Sequence, residues 1–406
     1  MKRLLDWYWN FGIQRSGDHQ INIGNWLFPL MNIAQRHEAA VSALQAHSAI
    51  GIWGPSQSGK SILLSRYLDG EDPQGIDSAL SWDGGTPCRF SQTPQTPLET
   101  LCLNPRTEGV DASGVVARYV AQDKIEDPVF PVHLSLSLPF QWIYAFAIGY
   151  MELCEQRIVT YDAMQFNSLL ESFEDSNVEN IPPNRRACET LACLSEIITA
   201  FIDTRKERFV NLGIDNEWTR SLRTQMLNTK ALNRNNATAE QFMAELLWNN
   251  EPIINSVIAK IRYFQDYTIA QWKNKPIYCS LEVTQLLLNF QTLEICRLAQ
   301  LNTSPRNEVE EIQLNILNRV RKIAWRDTGK SILIGIFDEG NPIGLENFGA
   351  LQTLTAELQI PLRMDRIKNE VFRRLIHSYD LIDFPGVTNK AGRDGIAEKN
   401  RFLKTE

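Results

Sequence analysis

The sequence is poor in the features that mark membrane proteins and nucleic-acid-binding proteins. Its most apolar stretch covers residues 143–153, and a helix needs roughly 20 residues to cross a bilayer. Lys and Arg number 41 against 48 Asp and Glu, so the net charge is −7, and no long basic run occurs. DNA or RNA binding is therefore not expected from charge. No signal-peptide pattern opens the chain, and we expect a soluble, cytoplasmic protein without a transmembrane segment.

The sequence also lacks the cysteine spacing of a disulfide or zinc protein. Its seven cysteines are scattered without a CxxC pair, and its five histidines are dispersed among them. This pattern indicates free, buried thiols in a reducing compartment. A length of 406 residues with 43% hydrophobic and 22% charged residues is typical of a globular chain of two or three domains.

The strongest motif present is a phosphate-binding loop of the form GxxxxGK[ST]. The short apolar run at 49–53 precedes it and predicts a buried parallel strand, and a helix is expected from Lys60 to Tyr67. Strand, glycine-rich loop and helix in this order are the context that the motif requires. The loop comprises Gly54, Pro55, Ser56, Gln57, Ser58, Gly59, Lys60 and Ser61.

These residue types suit the binding of a nucleoside triphosphate. Glycines let the backbone wrap around a phosphate so that N–H groups point inward. The first helical turn, up to Ile62, adds further N–H groups and the positive end of the helix dipole. Lys60 supplies a cation to the β- and γ-phosphates, and the Ser61 hydroxyl is a ligand for Mg²⁺. The predicted cofactors are Mg²⁺ and GTP, or ATP in its place.

A phosphate loop of this kind works with a carboxylate from a second strand, and the sequence offers two candidates. Residues 332–337 form an apolar run that ends in Asp338 and Glu339, as in the Walker B strand of an ATPase. The second candidate is Asp383, which with Gly386 forms the DxxG pattern of GTPase-like proteins. In those proteins the aspartate approaches Mg²⁺ through water. The loop that contains the glycine becomes ordered when it contacts the γ-phosphate. We favour Asp383.

Several segments together resemble the SrfC-type virulence-factor family, which are large bacterial P-loop proteins with a dynamin-like GTPase character. The resemblance implies catalytic roles for Lys60, Asp383 and Gly386, and metal binding by Ser61 and Asp383. It also implies a nucleotide switch that includes Ser113, Gly114 and Arg118. The segments that carry it are 54–61, 103–105, 113–119, 336–362 and 380–386.

The chain departs from the family pattern in three places. A threonine that binds the switch magnesium is expected where the chain has Ala117, so one metal ligand is missing unless Ser113 or Thr107 substitutes for it. The pair Ser56-Gln57 replaces the Gln-Ser of dynamin-type loops. No [NT]KxD motif for reading the base is present. Because family members are longer, the resemblance implies an amino-terminal portion, or a split protein completed by a companion subunit.

The predicted fold class is α/β, a GTPase-like P-loop NTPase sheet flanked by helices and interrupted by a large all-helical insertion. The predicted segments are an N-terminal helical part at 1–48, the first part of the nucleotide-binding domain at 49–140, the helical insertion at 141–325 and the second part at 326–406. Strands are expected at 79–82, 88–90, 114–120, 132–138, 332–337 and 379–382. Helices are expected at 142–154, 191–202, 253–264, 286–298, 312–324 and 348–357.

Three functions follow from these patterns. The first is a GTPase-like switch or mechanochemical protein that hydrolyses GTP slowly with Mg²⁺. The second is an ATPase that uses Asp338 and Glu339. The third is an interaction protein that binds nucleotide without hydrolysing it, which Ala117 favours. The expected partners are the nucleoside triphosphate and either further copies of the chain or the companion subunit.

Overall fold

The computed structural model describes most of the chain. The described residues are 2–12, 23–53, 59–82, 87–91, 96, 99–104, 115–153, 163–174, 181–204, 212–272, 276–289, 304–305, 311, 314–315, 317, 325–327, 333–334 and 345–384. Within them, no helix is both long enough and apolar enough to cross a membrane. The described cysteines are buried, free thiols.

The helices are α1 (Lys2–Trp7), α2 (Ile23–Gln45), α3 (Lys60–Leu68), α4 (Pro139–Leu153), α5 (Ala163–Ser172), α6 (Arg185–Thr204), α7 (Asn216–Asn228), α8 (Lys230–Arg234), α9 (Asn236–Trp248), α10 (Pro252–Trp272), α11 (Leu281–Leu288), α12 (Leu345–Leu354) and α13 (Glu370–Ser378). The strands are β1 (Ala49–Ile52), β2 (Cys88–Arg89), β3 (Leu101–Cys102), β4 (Val116–Gln122), β5 (Val132–Leu136), β6 (Ile277–Cys279), β7 (Trp325–Asp327), β8 (Leu333–Ile334), β9 (Thr355–Arg363) and β10 (Asp380–Asp383). A π turn (Tyr8–Gly12) follows α1 and a 3₁₀ turn (Met364–Arg366) follows β9.

The chain divides into two units, each built from two separate segments. The first unit contains residues 1–46 and 138–255, and its described regular structure is helical. Helix α6 is central to this unit and packs against α2, α7 and α9. Side chains spaced three and four residues apart on α6 are buried, among them Leu191, Leu194 and Ile198, as an amphipathic helix requires.

Side-chain caps define where several helices begin. The Asp215 carboxylate accepts hydrogen bonds from the backbone N–H groups of Glu217 and Trp218 and so starts α7. The Asn369 side chain accepts from Phe372 N–H at 3.0 Å and starts α13. Each cap satisfies N–H groups that the helix itself leaves unpaired.

The second unit contains residues 47–137 and 256–406 and is built on a mixed sheet of eight strands in the order β1-β10-β4-β9-β5-β6-β7-β8. The pairs β1–β10 and β4–β9 are parallel, whereas the remaining neighbours are antiparallel. Helix α13 packs on β4 and β10, and α12 leads directly into β9. The coarse expectation of an α/β chain with a central sheet and flanking helices is therefore confirmed.

The strand at 49–53 is parallel as the pattern predicts, but it is not buried. Strand β1 forms the end of the sheet and, within the described part of the chain, pairs with β10 alone. Ile50 is 37% exposed and Trp53 is 68% exposed. The prediction of burial was wrong because a short apolar run does not reveal how many neighbours the strand has.

The central strand β9 was not expected, because residues 348–357 were predicted to be helical. The helix ends at Leu354 and the chain continues as a strand through Arg363. Leu358, Ile360 and Leu362 are fully buried within this strand. Alanine, glutamate and leucine favour helices locally, but pairing with β4 and β5 on either side overrides that preference.

The sheet unit also takes in part of the range expected to be a helical insertion. Strand β6 (Ile277–Cys279) and β7, which begins at Trp325, pair with each other, and β6 pairs with β5. The helical unit accordingly ends near Asn255 rather than at residue 325. A strand of three residues is too short for the 3.6-residue periodicity analysis to separate it from its helical neighbours.

Candidate functional site

The strand that precedes the predicted phosphate loop lies beside the strand that ends in the predicted magnesium-binding acid. Strands β1 and β10 are parallel, and Ile52 stands opposite Asp383 in their register. Because parallel strands place their carboxyl ends at one edge of a sheet, the chain leaves β1 toward the loop at the edge where Asp383 lies. The register thus brings together two motifs that are far apart in the sequence.

Helix α3 begins at the last glycine of the motif. Gly59 caps the helix with a φ of 86° and a ψ of 11°, in the left-handed region that non-glycine residues seldom adopt. The first backbone bond of the helix runs from Leu63 N–H to Gly59 C=O at 3.0 Å. Lys60, Ser61 and Ile62 occupy the first turn, where N–H groups have no partner inside a helix.

Asp383 is a buried carboxyl group next to a cation. Asp383 is 4% exposed, and its Oδ1 atom has no hydrogen-bond partner among the described residues. Burial raises the pKa of Asp383 from 3.8 to about 6, and the nearby Lys60 ammonium lowers it. An unsatisfied carboxylate oxygen in such a position is costly without a ligand, and it is suited to a metal ion or to metal-bound water.

The Ser61 hydroxyl is held by a side chain that the motif does not contain. The Asn104 Nδ2 group donates a hydrogen bond to Ser61 Oγ at 3.0 Å. Asn104 is itself buried, and its backbone N–H donates to Phe90 C=O at 2.7 Å. The sequence analysis noted residues 103–105 only as part of a resemblance and did not identify this contact. An asparagine two residues after a short strand was the one available signal.

Strands β2 and β3 are parallel and form a small two-stranded sheet. The C-terminal end of α3 is anchored beside this sheet, as Asn104 is. Asp69 caps the helix, and its carboxylate accepts hydrogen bonds from Phe90 N–H at 2.6 Å and Ser91 N–H at 3.3 Å. Burial raises the pKa of Asp69 to about 6, while these N–H groups and Arg89 lower it. Both ends of the helix that carries Lys60 and Ser61 are therefore fixed to one element.

Ala117, where the family resemblance implies a threonine, lies in β4 directly opposite Asp383. The residue is 2% exposed. Opposite residues of an antiparallel pair direct their side chains to the same face of the sheet. The missing hydroxyl would therefore lie next to the Asp383 carboxyl group.

Arg118, predicted to belong to the switch, lies within β4 and forms ion pairs with the two neighbouring strands. Its Nε donates to Glu357 Oε1 of β9 at 2.9 Å, and its Nη1 donates to Asp380 Oδ2 of β10 at 3.2 Å. The same Nη1 also donates to His47 C=O at 3.3 Å. These contacts hold β4 between β9 and β10.

The remaining predicted site residues lie outside the described residues. They are Gly54, Pro55, Ser56, Gln57, Ser58, Ser113, Gly114, Gly386, Asp338 and Glu339. Among the described residues, no group of three or more His, Cys, Asp or Glu side chains is arranged to hold a metal. Mg²⁺ does not require such a group, since it keeps several waters and uses one or two protein oxygens plus phosphate oxygens. Ser61 Oγ and Asp383 Oδ1 fit that ligand set.

No protein-family model, curated protein or solved structure matches the chain. The case for a function therefore depends on the site residues and their geometry.

Proposed function

We propose that the chain is a P-loop protein that binds a nucleoside triphosphate with Mg²⁺ and acts as a slow, GTPase-like switch. The observation that carries the proposal is the register between Ile52 and Asp383, two residues from the two motif strands. Together with the Lys60 ammonium near that carboxylate, it supports one site at which a cation, a carboxylate and a helix N-terminus converge. This combination suits the phosphates of a nucleotide.

Each described side chain has a distinct task in this proposal. Lys60 binds the β- and γ-phosphate oxygens and balances their charge. Ser61 contributes its hydroxyl oxygen and Asp383 its carboxylate to Mg²⁺, the latter directly or through water. The bound metal neutralises charge on the β–γ bridge. The backbone N–H groups at the start of α3 orient the β-phosphate.

The proposal is tested by removing the cation from the loop. Lys60→Ala is expected to weaken binding of GTP or ATP by on the order of 2–4 kcal/mol, because it removes a charge-assisted contact to phosphate. Isothermal titration calorimetry with the full chain, Mg²⁺ and each nucleotide measures the change. Lys368→Ala is the matched control, since Lys368 is an exposed lysine and its loss should leave affinity unchanged. Equal affinities of wild type and Lys60→Ala for both nucleotides would refute the phosphate-loop assignment.

Two further measurements separate the alternative functions. Single-turnover hydrolysis distinguishes an NTPase from a protein that binds nucleotide without turnover. Comparison of Asp383→Ala with Asp338→Ala then distinguishes the GTPase-like site from an ATPase of the Walker B type, since only the variant of the working acid should lose Mg²⁺-supported hydrolysis.

A further inference from the structure

Asn104 lies where it can control the metal ligand of the proposed site. It is separated from Ser61 by 43 positions in the sequence, yet its Nδ2 group donates to Ser61 Oγ at 3.0 Å. Asn104 is buried and Ser61 is half-buried. Asn104 is thus a donor that binds a side-chain oxygen of the first turn of α3.

We infer that Asn104 is a positioning residue that orients the Ser61 hydroxyl for a divalent cation. A serine hydroxyl has one hydrogen and two lone pairs. The Asn104 amide occupies one lone pair, so it fixes the side chain while the second lone pair remains for Mg²⁺. The hydroxyl hydrogen is directed away from Asn104 and is available to a phosphate oxygen. This inference depends on the proposed function.

The backbone around Asn104 gives the amide a rigid base. Asn104 N–H donates to Phe90 C=O at 2.7 Å, and Phe90 N–H donates to Asp69 Oδ1 at 2.6 Å. Asp69 lies at the other end of the helix that begins with Lys60 and Ser61. A continuous series of hydrogen bonds therefore runs from one end of α3 through Phe90, directly after β2, and through Asn104 back to the end that carries Ser61. Hydrogen-bond partners of this kind orient metal ligands, and removing one of them typically lowers metal affinity by roughly 10–100-fold.

The test measures how much Mg²⁺ the full chain needs for tight nucleotide binding. Fluorescent methylanthraniloyl GTP and ATP are titrated at a series of MgCl₂ concentrations and again in EDTA. Asn104→Ala is expected to raise the half-saturating Mg²⁺ concentration about tenfold, while affinity in EDTA stays within about twofold because the loop N–H groups are untouched. Asn104→Ser, which keeps a polar group at the buried site but is too short to reach Ser61, should behave in the same way.

Two controls separate positioning from a general loss of packing. Thr100→Val removes a buried hydroxyl directly before β3, which donates to Gln74 C=O at 3.3 Å, and it should leave the Mg²⁺ requirement unchanged. In a Ser61→Ala background, Asn104→Ala should add nothing further, because the oxygen that it orients is gone. A merely structural asparagine would give the same increment in both backgrounds.

The outcomes separate the role of Asn104 from the proposed function of the chain. If wild type binds either nucleotide with a Mg²⁺ requirement, but Asn104→Ala and Asn104→Ser keep that requirement, the positioning role is overturned and the proposed function stands. A lower Mg²⁺ requirement in these variants also overturns it, because Asn104 would then compete with the metal. If wild type shows no Mg²⁺-dependent binding of either nucleotide, both the proposed function and the role of Asn104 are overturned.

Discussion

Arg118 and Asp380 form an ion pair, Nη1 to Oδ2 at 3.2 Å, that joins β4 to the strand carrying Asp383. Both side chains are largely buried, at 12% and 7% exposure. Glu357 of β9 binds the same guanidinium. One cation therefore links three adjacent strands, and it binds β10 at the end opposite to Asp383.

Arg118→Met is expected to destabilise the protein because it removes the guanidinium that pairs with two carboxylates. Loss of one member of a buried ion pair lowers the free energy of unfolding by roughly 3–5 kcal/mol. Because Glu357 is only half-buried, we expect a loss near the lower end of that range. Urea denaturation of the full chain measures the free energy of unfolding. Arg373→Met is the control, since Arg373 pairs with Glu370 on the surface and such pairs contribute about 0–1 kcal/mol. Similar losses in the two variants would contradict the structural role of Arg118.

Asp383→Asn is expected to stabilise the metal-free protein while it removes Mg²⁺ binding. The substitution eliminates a buried charge, and we expect a gain of about 1–2 kcal/mol at pH 8 after the cost of burying the amide. Thermal melts in EDTA test the gain, and nucleotide titrations with MgCl₂ test the loss. Asp380→Asn, three residues earlier, should have the opposite effect on stability because it weakens the pair with Arg118. A destabilised Asp383→Asn would show that the carboxylate has a structural partner.

The pH dependence of stability should reveal the buried Asp383 directly. Its pKa is about 6 in the folded protein against an ordinary 3.8, so between these values the folded state binds more protons than the unfolded state. The contribution of Asp383 to the free energy of unfolding is therefore greatest below about pH 4, falls as the pH rises toward 6, and is constant above about pH 7. Asp69 follows the same direction but is common to wild type and Asp383→Asn, so it cancels in their difference.

The measured quantity is the difference in unfolding free energy between wild type and Asp383→Asn in EDTA across pH 4–8. From pH 4 to pH 8, we expect the free energy of unfolding of the variant to rise by roughly 2–3 kcal/mol relative to that of wild type. This change is equivalent to a difference of about two pKa units between the folded and unfolded states. A flat difference would mean that Asp383 titrates near its ordinary value and is not a buried, unsatisfied carboxyl group.

Ala117→Ser should give the Asp383 carboxylate a hydrogen-bond donor. Position 117 is opposite Asp383 on the same face of the sheet, and Cβ atoms of such pairs are about 5 Å apart. We expect the pKa of Asp383 to fall, and stability at pH 8 to rise by about 1 kcal/mol. Ala117→Val is the control, since it fills the same buried position without a donor and should cost about 1–3 kcal/mol through overpacking. Equal destabilisation by serine and valine would refute the proposed contact.

Local signals made part of the site predictable from the sequence. The glycines, lysine and serine of the GxxxxGK[ST] motif have a fixed spacing, so Lys60 and Ser61 are identifiable as candidate site residues without a structure. Asp383 follows an apolar strand, and Asp-Phe-Pro-Gly marks its end. The helix beginning at Lys60 and the strand ending at Asp383 lie as those signals predict.

The contacts that depend on distant parts of the chain were not predictable. The Asn104–Ser61 bond leaves no periodic trace, because a single asparagine after a strand resembles any turn residue. The pairing of β9 between β4 and β5 depends on neighbours rather than on its own helix-favouring residues. The exposure of β1 likewise follows from its place at the end of the sheet, which a run of apolar residues does not encode.

The sheet order has a consequence for how the chain is made. His47 and Asp380, which meet at the start of the β1–β10 pair, are 333 positions apart, and Arg118 and Glu357 are 239 positions apart. At synthesis rates of about 5–20 residues per second, the strand that supports the phosphate loop waits roughly 15–70 seconds for its described partner. During that interval its apolar edge is open to aggregation. We therefore expect the late synthesis of β10 to limit the yield of folded chain, and chaperone supply should improve that yield more than stabilising the helical unit does.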